Sequence, residues 1–309
     1  MIPQLVSCVQ QLKKQREDDC VSAEAAAYGA VTIVNAIATG KGAAFGIDLW
    51  TKARVKLTDD GAIETRILDD EEESTLLAER CVRAVFGYFG TSKLGAKVET
   101  NSNIPIARGL KSSSVAGNAI VLATLAALHK RLKPDDILDL VVNASLQAKV
   151  SVTGAFDDAA ASLYGNVVVT DNTTRTVLRT FPVEDYTVLL LVPPEKAYTA
   201  DADLRQIKTV AKQVEIAHEQ ALAGKYWNAM TLNGLIYSHV LKLPADVIVE
   251  SLAAGALAAG ISGKGPSYAF VVEEQFKDPV LDVLKRREGG VIVSRTRNQP
   301  SFVEPTKEH

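Results

Sequence analysis

The most distinctive segment of the chain is Pro105-Ile106-Ala107-Arg108-Gly109-Leu110-Lys111-Ser112-Ser113-Ser114, which leads directly into an apolar run, Val115 to Leu128. The run has the length and composition of a buried helix. A loop of small residues that ends at a helix N-terminus presents unpaired backbone N–H groups and the positive end of the helix dipole, which together stabilise a bound phosphate. The segment therefore predicts a phosphate-binding loop; the alternative is a serine run that only caps the helix.

The better-known nucleotide motifs are absent from the sequence. The P-loop pattern GxxxxGK[ST] needs a serine or threonine after the lysine. Both Gly40-Lys41 and Gly263-Lys264 are followed by a glycine instead, so neither completes the pattern. No GxGxxG stands between a predicted strand and a predicted helix, so a Rossmann dinucleotide site has no support. A phosphate-binding loop in this chain must therefore be of another type.

Two further segments carry residues suited to phosphate chemistry. Asp157 and Asp158 place paired carboxylates in a turn that follows Thr153-Gly154-Ala155, and the alternative is that they cap the next helix. Ser262-Gly263-Lys264-Gly265-Pro266 is a glycine loop before an apolar run, although the same pattern is common in ordinary helix-to-strand connections. By themselves these segments leave both interpretations open.

The first half of the chain has strand signals followed by a helix. Residues Met1 to Ser22 differ from the rest in pattern and are interpreted as an N-terminal extension. Apolar residues alternate from Ile47 to Leu57 and from Ile63 to Ile67 on either side of Asp59-Asp60-Gly61, which predicts a β-hairpin. The other predicted elements are a strand at Val31–Val34, a helix at Leu76–Phe89 and a strand at Gly95–Thr100.

The second half of the chain mixes the same elements in a different order. Predicted strands lie at Val167–Val169, Val188–Val192, Tyr268–Val272 and Val291–Ser294, and predicted helices at Leu204–Leu222, Tyr226–Lys242 and Ala245–Ala259. Antiparallel strand signals beside clustered helices favour an α+β fold. The length of 309 residues exceeds the usual size of one core. We predict an extension at 1–22, a domain at 23–178 with the phosphate loop, and a domain at 179–309.

Composition and charge exclude several classes of protein. Hydrophobic residues make up 47% of the chain and the net charge is −3, which suits a globular protein without a basic face for nucleic acid or membrane lipid. The apolar run Ala116–Leu128 falls short of the ~18 residues that span a bilayer. Cys8, Cys20 and Cys81 have neither disulfide nor zinc spacing, which suits a reducing compartment. The expected location is the cytoplasm, with a small-molecule partner.

Several segments taken together resemble one enzyme family. The Pro-x-x-x-Gly-Leu-x-Ser-Ser-Ser pattern is similar to the phosphate loop of the GHMP kinases, which include galactokinase, homoserine kinase and mevalonate kinase. Thr32 to Asp48, Thr153 to Ala159 and Ser262 to Ser267 resemble the archaeal shikimate kinase branch. The resemblance covers about Ala25 to Asn298. It implies a two-domain α+β fold, with an N-terminal half like ribosomal protein S5 domain 2 and a ferredoxin-like C-terminal half.

The resemblance also implies an activity and roles for individual residues. The expected reaction is phosphorylation of shikimate by ATP with Mg²⁺, a step of chorismate and aromatic amino acid biosynthesis. Asp157 matches the family aspartate that orients or deprotonates the attacking hydroxyl, and Ser113 matches the Mg²⁺ ligand. The implied ATP-binding residues are Pro105, Ile106, Ala107, Arg108, Gly109, Leu110, Lys111, Ser112, Ser113, Ser114, Gly263, Lys264 and Gly265. The candidate substrate-binding residues are Asn35, Lys41, Thr153 and Asp158, with Arg295 and Arg297 as further candidates for the substrate carboxylate.

Two departures from the family pattern keep other functions open. Many GHMP kinases have a lysine in their first motif, where this chain has Ala27-Tyr28-Gly29-Ala30. The position of a family glutamate that binds Mg²⁺ is Leu146. A homoserine or mevalonate kinase is the nearest alternative, and a non-catalytic binding or regulatory protein of the same fold is the alternative from another class.

Overall fold

A computed structural model describes residues 22–70, 72–106, 108–151, 153–194 and 204–304 of the chain. The predicted extension therefore lies, apart from Ser22, outside the described residues. The strands are β1 (Ser22–Val34), β2 (Lys41–Thr58), β3 (Ile63–Ile67), β4 (Gly95–Ser102), β5 (Val167–Asp171), β6 (Thr176–Phe181), β7 (Thr187–Val192), β8 (Ala258–Ile261), β9 (Tyr268–Val272), β10 (Gly290–Arg295) and β11 (Phe302–Val303). The helices are α1 (Leu76–Phe89), α2 (Ser112–Ala127), α3 (Pro134–Gln147), α4 (Phe156–Tyr164), α5 (Leu204–Lys208), α6 (Ala211–Leu222), α7 (Tyr226–Val240), α8 (Asp246–Ala253) and α9 (Lys277–Leu284).

The strands form two sheets. The first has the order β11-β1-β2-β4-β3, with β5 paired to β2 and β6 paired to β5. The second has the order β10-β7-β9-β8. Helices and antiparallel strands are mixed within each half, which confirms the α+β prediction.

The long strand β2 joins the parts of the first sheet. Its first half, Lys41–Phe45, pairs with β5, and its second half, Thr51–Thr58, pairs with β4. The first half is buried almost continuously, whereas the second half alternates between buried and exposed residues. This difference is expected when helices cover both faces of a strand at one end and only one face at the other.

The predicted hairpin between β2 and β3 is wrong. β4 lies between them: it pairs antiparallel with β2 and parallel with β3, and α1 forms the crossover from β3 to β4. Gly95 makes this insertion possible, because a Cβ atom there would collide with the side chains of Thr58 and Asp60 and with the backbone of Ala62. The strands and the turn were thus predicted, but their pairing was not.

Two predicted helices have other boundaries. The Leu204–Leu222 helix is interrupted between α5 and α6, where the Thr209 hydroxyl donates a 2.7 Å hydrogen bond to the Gln206 carbonyl oxygen. The Ala245–Ala259 helix ends with α8 at Ala253, since Gly255 adopts a positive φ of 106° and the chain then enters β8. Helices α3 and α9 were not predicted.

The predicted domain boundary after residue 178 lies within a strand. β6 continues to Phe181 and belongs to the first sheet, and the division into two domains stays a prediction. The C-terminal strand β11 also pairs with β1 of the first sheet. The two halves are therefore joined by the end of the chain as well as by the connection after β6.

Helix α2 runs through the core of the first half. Buried residues occupy all its sides, and it packs on β1, β2, α1, α3 and α4. Gly117 allows α3 to approach, since a Cβ there would lie 2.8 Å from Val141 Cγ1. Asn118 Nδ2 donates a 2.9 Å hydrogen bond to the carbonyl oxygen of Ala159 in α4. These contacts fix the N-terminus of α2 relative to α4.

Within the described ranges, every helix is too short or too polar to cross a membrane.

Candidate active site

A cavity of about 610 Å³ brings together the segments that the sequence singled out. Its walls come from the end of β1, the phosphate loop, the residues before and at the start of α4, and the glycine loop between β8 and β9. The predicted residues that line it are Asn35, Ile106, Gly109, Lys111, Ser112, Ser113, Ser114, Thr153, Asp157, Asp158, Gly263, Lys264 and Gly265. Residues that are far apart in sequence thus share one cavity.

The phosphate loop packs directly on the glycine loop. Gly109 has a φ of 80°, and a Cβ atom there would lie 2.6 Å from the Ser262 carbonyl oxygen and 2.7 Å from that of Gly265. The Ser262 hydroxyl donates a 2.8 Å hydrogen bond to the Gly109 carbonyl oxygen. Only glycine fits this approach, so both loops depend on the residue that the sequence pattern emphasised.

The N-terminus of α2 opens into the cavity without a cap. Lys111 is the N-cap residue, with a φ of 66°, and no side chain caps the helix. Ser112 and Ser113 are half-buried and line the cavity. The first N–H groups of a helix have no intrahelical acceptor. The alternative that the serines only cap α2 is therefore not supported, and the helix end is arranged to receive an anion.

A buried ion pair crosses from the phosphate loop to α4. Lys111 Nζ lies 2.7 Å from Asp158 Oδ2, and the two side chains are 11% and 7% exposed. Burial, followed by repulsion from Asp157, raises the pKa of Asp158 to about 7, although Lys111 acts in the opposite direction. Asp158 Oδ1 is buried and has no hydrogen-bond partner within the described residues. Burial therefore outweighs the attraction of Lys111 in its effect on the pKa of Asp158.

Asp157 is fixed by groups from the first sheet. Its Oδ1 atom accepts a 2.7 Å hydrogen bond from Asn172 Nδ2, and the residue is 4% exposed. Gly42 of β2 lies against the other oxygen, since a Cβ there would be 2.6 Å from Asp157 Oδ2. The N-cap of α4 is Ala155, without a side-chain cap, so the interpretation that the aspartates merely cap this helix is also not supported. Asn172 was not predicted, because asparagine after a strand is an ordinary turn residue.

Asn35 lines the cavity, but its polar atoms serve the protein itself. Its Nδ2 atom donates a 2.7 Å hydrogen bond to the Gly263 carbonyl oxygen, and its Oδ1 atom accepts one from the Ile37 N–H at 3.0 Å. The Gly263 N–H in turn donates to the Thr32 hydroxyl at 2.9 Å. The end of β1 therefore holds the glycine loop in place. Thr153 also lines the cavity, where its hydroxyl accepts a 3.4 Å hydrogen bond from the Ala155 N–H.

Three basic residues that were candidates for the substrate carboxylate lie elsewhere. Lys41 begins β2 and forms a 2.7 Å ion pair with Glu215 of α6, half-exposed and away from the cavity lining. Arg295 pairs with Asp185, and Arg297 pairs with Asp48 while its guanidinium lies 3.3 Å from the centre of the Tyr28 ring. Acidic neighbours at the surface engage each of the three cations, so the structure does not bring them into the cavity with the other candidates. The lysines that line the cavity are Lys111, Lys149 and Lys264.

Some residues of the phosphate loop support it without facing the cavity. The Leu110 side chain is buried in the core. Arg108 donates a 2.6 Å hydrogen bond to the Pro193 carbonyl oxygen and, with Pro105, lines an adjoining recess of about 340 Å³. Ala107 lies outside the described residues. Among the predicted ATP-binding residues, Arg108 and Leu110 therefore direct their side chains to other parts of the protein and not into the cavity.

The cavity also has an apolar end that the sequence did not indicate. The apolar side chains at this end come from β3, α1, α2 and the start of the phosphate loop: Ile67, Leu77, Ala78, Ile106 and Ile120. Thr75, Thr100 and Ser102 line the same cavity with hydroxyls, and Asp69 and Glu73 line it with carboxylates. A flat heterocycle with polar edges suits such a wall. These residues come from four separate elements, so no local motif could have identified them.

The two departures from the family pattern are evident in the structure. Ala30, at the end of the segment where many GHMP kinases have a lysine, is fully buried in β1. Leu146, at the position of the family glutamate, is 38% exposed on α3. Within the described ranges, no group of three or more histidine, cysteine, aspartate or glutamate residues could hold a metal ion. A metal in this cavity would need oxygen ligands from a nucleotide as well.

Comparisons with known proteins agree with this geometry. A family model described as the GHMP kinases N terminal domain matches residues 77–166. Among solved structures, a homoserine kinase from Cytophaga hutchinsonii has a TM-score of 0.70 at 21% identity and covers 92% of this chain and 98% of its own. The mevalonate kinase of Methanococcus jannaschii has a TM-score of 0.71 at 16% identity and covers 89% and 98%. At such identities these likenesses support the fold alone.

The fold and the site together define a small-molecule kinase of the GHMP type. The sequence is 40% identical to a shikimate kinase from Methanothermobacter thermautotrophicus, over 89% of this chain and 96% of that protein. It is 46% identical to a shikimate kinase from Methanosarcina mazei, over 82% and 87%. The chain therefore belongs to the archaeal-type shikimate kinase family within the GHMP kinases.

Proposed function

We infer that this protein is an ATP-dependent kinase that phosphorylates the 3-hydroxyl of shikimate, giving shikimate 3-phosphate and ADP. The observation that carries the proposal is that the uncapped N-terminus of α2 and the buried carboxylate of Asp157 share one cavity. This pairs a phosphate-binding element with a group that can bind a hydroxyl, which is what phosphoryl transfer to an alcohol requires. Membership of the shikimate kinase family supports the acceptor.

We place the nucleotide along the phosphate loop. The backbone N–H groups of Ser112 and Ser113 and the α2 dipole favour the phosphates, and Lys111 contributes a positive charge. The apolar end of the cavity suits the adenine ring. Gly263, Lys264 and Gly265 form the opposite wall of the phosphate region.

The residues of the cavity fit Mg²⁺ bound together with a nucleotide. Mg²⁺ prefers oxygen ligands and usually takes one or two from the protein and the rest from phosphates and water. The Ser113 hydroxyl lines the cavity, and Asp158 keeps one buried carboxylate oxygen without a partner in the described part of the chain. When bound, Mg²⁺ would neutralise charge on the transferred phosphoryl group. Ser113 and Asp158 are its candidate protein ligands.

Asp157 acts on the acceptor. Its Oδ2 atom is the oxygen that the Asn172 hydrogen bond leaves free, so it can accept the proton of the attacking hydroxyl. A bond forms between the hydroxyl oxygen and the γ-phosphorus, while the bond from that phosphorus to the bridging oxygen of ADP breaks. Thr153 and Asn35 lie in the same cavity and would surround the substrate ring. Lys149 and Lys264 bring positive charge to a site whose substrate carries a carboxylate.

A substrate panel tests the proposed function. Purified protein with Mg²⁺ and ATP should release ADP when shikimate is added and should give no increase with homoserine, mevalonate or galactose. ³¹P NMR of the product should show a phosphate monoester on the 3-oxygen of the ring. ADP release with homoserine or mevalonate at the same rate would contradict the acceptor, and ATP binding without turnover of any acceptor would favour the regulatory alternative.

A further inference from the structure

Asn172 is a buried polar residue next to the carboxylate that the proposed reaction uses. It follows directly after β5, yet it is only 8% exposed. Its backbone N–H donates a 2.7 Å hydrogen bond to the Gly40 carbonyl oxygen, which fixes its main chain. Its side-chain Nδ2 atom lies 2.7 Å from Asp157 Oδ1. Turn asparagines are usually exposed, so this burial calls for a reason.

The Asn172 amide lies between Asp157 and Thr170, and its orientation is set by Asp157. An ionised carboxylate can only accept, so the NH₂ group faces Asp157 and donates to it. Asn172 Oδ1 then faces Thr170, whose hydroxyl donates to it at 2.7 Å and lies 3.2 Å from the Gly42 carbonyl oxygen. Thr170 itself is fully buried. The three side chains form one hydrogen-bonded series in which each donor faces an acceptor.

This series makes the two oxygens of Asp157 unequal. Oδ1 is engaged by Asn172, whereas Oδ2 has no hydrogen-bond partner in the part of the chain that the structure describes. The Gly42 backbone passes close to Oδ2 and leaves no room for the carboxylate to move toward β2. Asp157 lines the cavity, and Asn172 does not. Any influence of Asn172 on a substrate must therefore pass through Asp157.

We propose that Asn172 is a positioning residue for phosphoryl transfer: it holds Asp157 Oδ1 so that Oδ2 alone receives the proton of the acceptor hydroxyl. The proposal rests on the proposed function in that it takes Asp157 as the group that contacts the acceptor. Without the Asn172 donor, the carboxylate of Asp157 can rotate. The acceptor hydroxyl can then bond to either of its two oxygens, in two different positions. Misplacing a catalytic group by about 1 Å costs on the order of 10²-fold in rate.

The test uses the full chain and its own substrates. Asn172→Ala removes the donor, and Asn172→Asp keeps the shape but replaces the donor with a group that is an acceptor when ionised. Both should lower kcat by about 10- to 100-fold while the KM values for ATP and shikimate change by less than about threefold. The matched control is Asn143→Ala, which removes an exposed asparagine bonded to Arg175 and should leave both parameters unchanged.

A double-mutant cycle shows whether Asn172 acts through Asp157. If it does, Asn172→Ala in an Asp157→Asn background should reduce kcat no further than Asp157→Asn alone. The melting temperature of each variant is measured as well, because a substitution that only weakens the fold would lower the melting temperature. The proposal is overturned if Asn172→Ala turns over at the wild-type rate, if the two losses multiply in the double variant, or if the effect is confined to the melting temperature.

The cycle separates this inference from the proposed function. If the wild-type protein turns over another acceptor instead of shikimate, the same variants are measured with that acceptor, and the expected loss in kcat and its absence in the Asp157→Asn background are unchanged. Failure of the substrate panel therefore corrects the acceptor, whereas independent losses in the cycle overturn the role of Asn172.

Discussion

Lys111 Nζ lies 2.7 Å from Asp158 Oδ2, so a buried ion pair joins the phosphate loop to the helix that carries Asp157. Burial raises the pKa of Asp158, and repulsion from the neighbouring carboxylate of Asp157 raises it further. A nucleotide phosphate would compete with Asp158 for the same ammonium group. The nucleotide and acceptor sides of the cavity are thus electrostatically linked through these two residues.

The first prediction concerns nucleotide binding. Lys111→Met should raise the dissociation constant for ATP by about 10- to 100-fold, because a hydrogen bond to a charged group typically contributes about 1.5 to 3 kcal/mol. Isothermal titration calorimetry with a non-hydrolysable ATP analogue measures the change. Lys41→Met is the matched control, since Lys41 pairs with Glu215 outside the cavity and its loss should leave the affinity unchanged. Equal effects of the two variants would remove Lys111 from the phosphate site.

The second prediction concerns the pH dependence of stability. The pKa of Asp158 is raised, by burial first and by Asp157 second, to about 7 in the folded protein. The folded state therefore binds a proton more readily than the unfolded state between about pH 4 and pH 7. The contribution of Asp158 to stability is fully present below about pH 4 and is lost as the pH rises through about 7.

Asp158→Asn removes this contribution. The free energy of unfolding of the wild type, relative to that of Asp158→Asn, should fall between pH 4.5 and pH 7.5 and stay constant at higher pH. Urea unfolding at a series of pH values gives the difference directly. A difference that rises with pH over this range would show that Lys111, rather than burial, dominates the environment of Asp158.

The sequence was most informative where function depends on consecutive residues. The Gly109 loop, the helix after it and the aspartate pair each lie within a short segment, and their meeting in one cavity agrees with the family resemblance. The pairing of β2 with β4 was not predictable in this way, because alternation of apolar residues reports which face is buried and not which strand lies alongside.

The candidate substrate cations show a second limit. Lys41 lies between two glycines, which suggested a close approach to a ligand, but the glycines serve other contacts. Gly42 makes room for Asp157, and Gly40 has a positive φ of 76° in the turn before β2. Glu215, which engages Lys41, is separated from it by 174 residues. A long-range partner of this kind leaves no signal in a single sequence.

The third prediction tests the close approach of β2 to the aspartate. Gly42→Ala would place a Cβ atom 2.6 Å from Asp157 Oδ2, so the carboxylate must move. We expect kcat to fall by on the order of 10²-fold, with ATP affinity nearly unchanged because the phosphate loop is not touched. Gly87→Ala is the matched control: Gly87 is exposed in α1 with nothing within 4 Å of its Cβ position. It should raise stability by about 0.5 to 1 kcal/mol and leave kcat unchanged.

The result of Gly42→Ala is read from steady-state kinetics and thermal unfolding together. Unchanged turnover in a folded Gly42→Ala protein would mean that Asp157 tolerates displacement and does not contact the acceptor in a defined geometry. A decrease in turnover that the Gly87→Ala protein shares would point to a general effect of added methyl groups on the fold.

The last prediction distinguishes the two adjacent aspartates. The Asn172 hydrogen bond leaves Oδ2 of Asp157 free, whereas Asp158 is engaged by Lys111, so their substitution should have different effects. A carboxylate that accepts the hydroxyl proton contributes mainly in the transition state. Asp157→Asn should therefore lower kcat by roughly 10² to 10⁴, while ATP and shikimate still bind. Asp158→Asn should lower it less and should shift the Mg²⁺ concentration required for half-maximal activity. Both variants keep the side-chain shape, and circular dichroism should show that both are folded. Near-normal turnover of Asp157→Asn, or inactivity of Asp158→Asn alone, would contradict the assignment of Asp157 as the catalytic carboxylate.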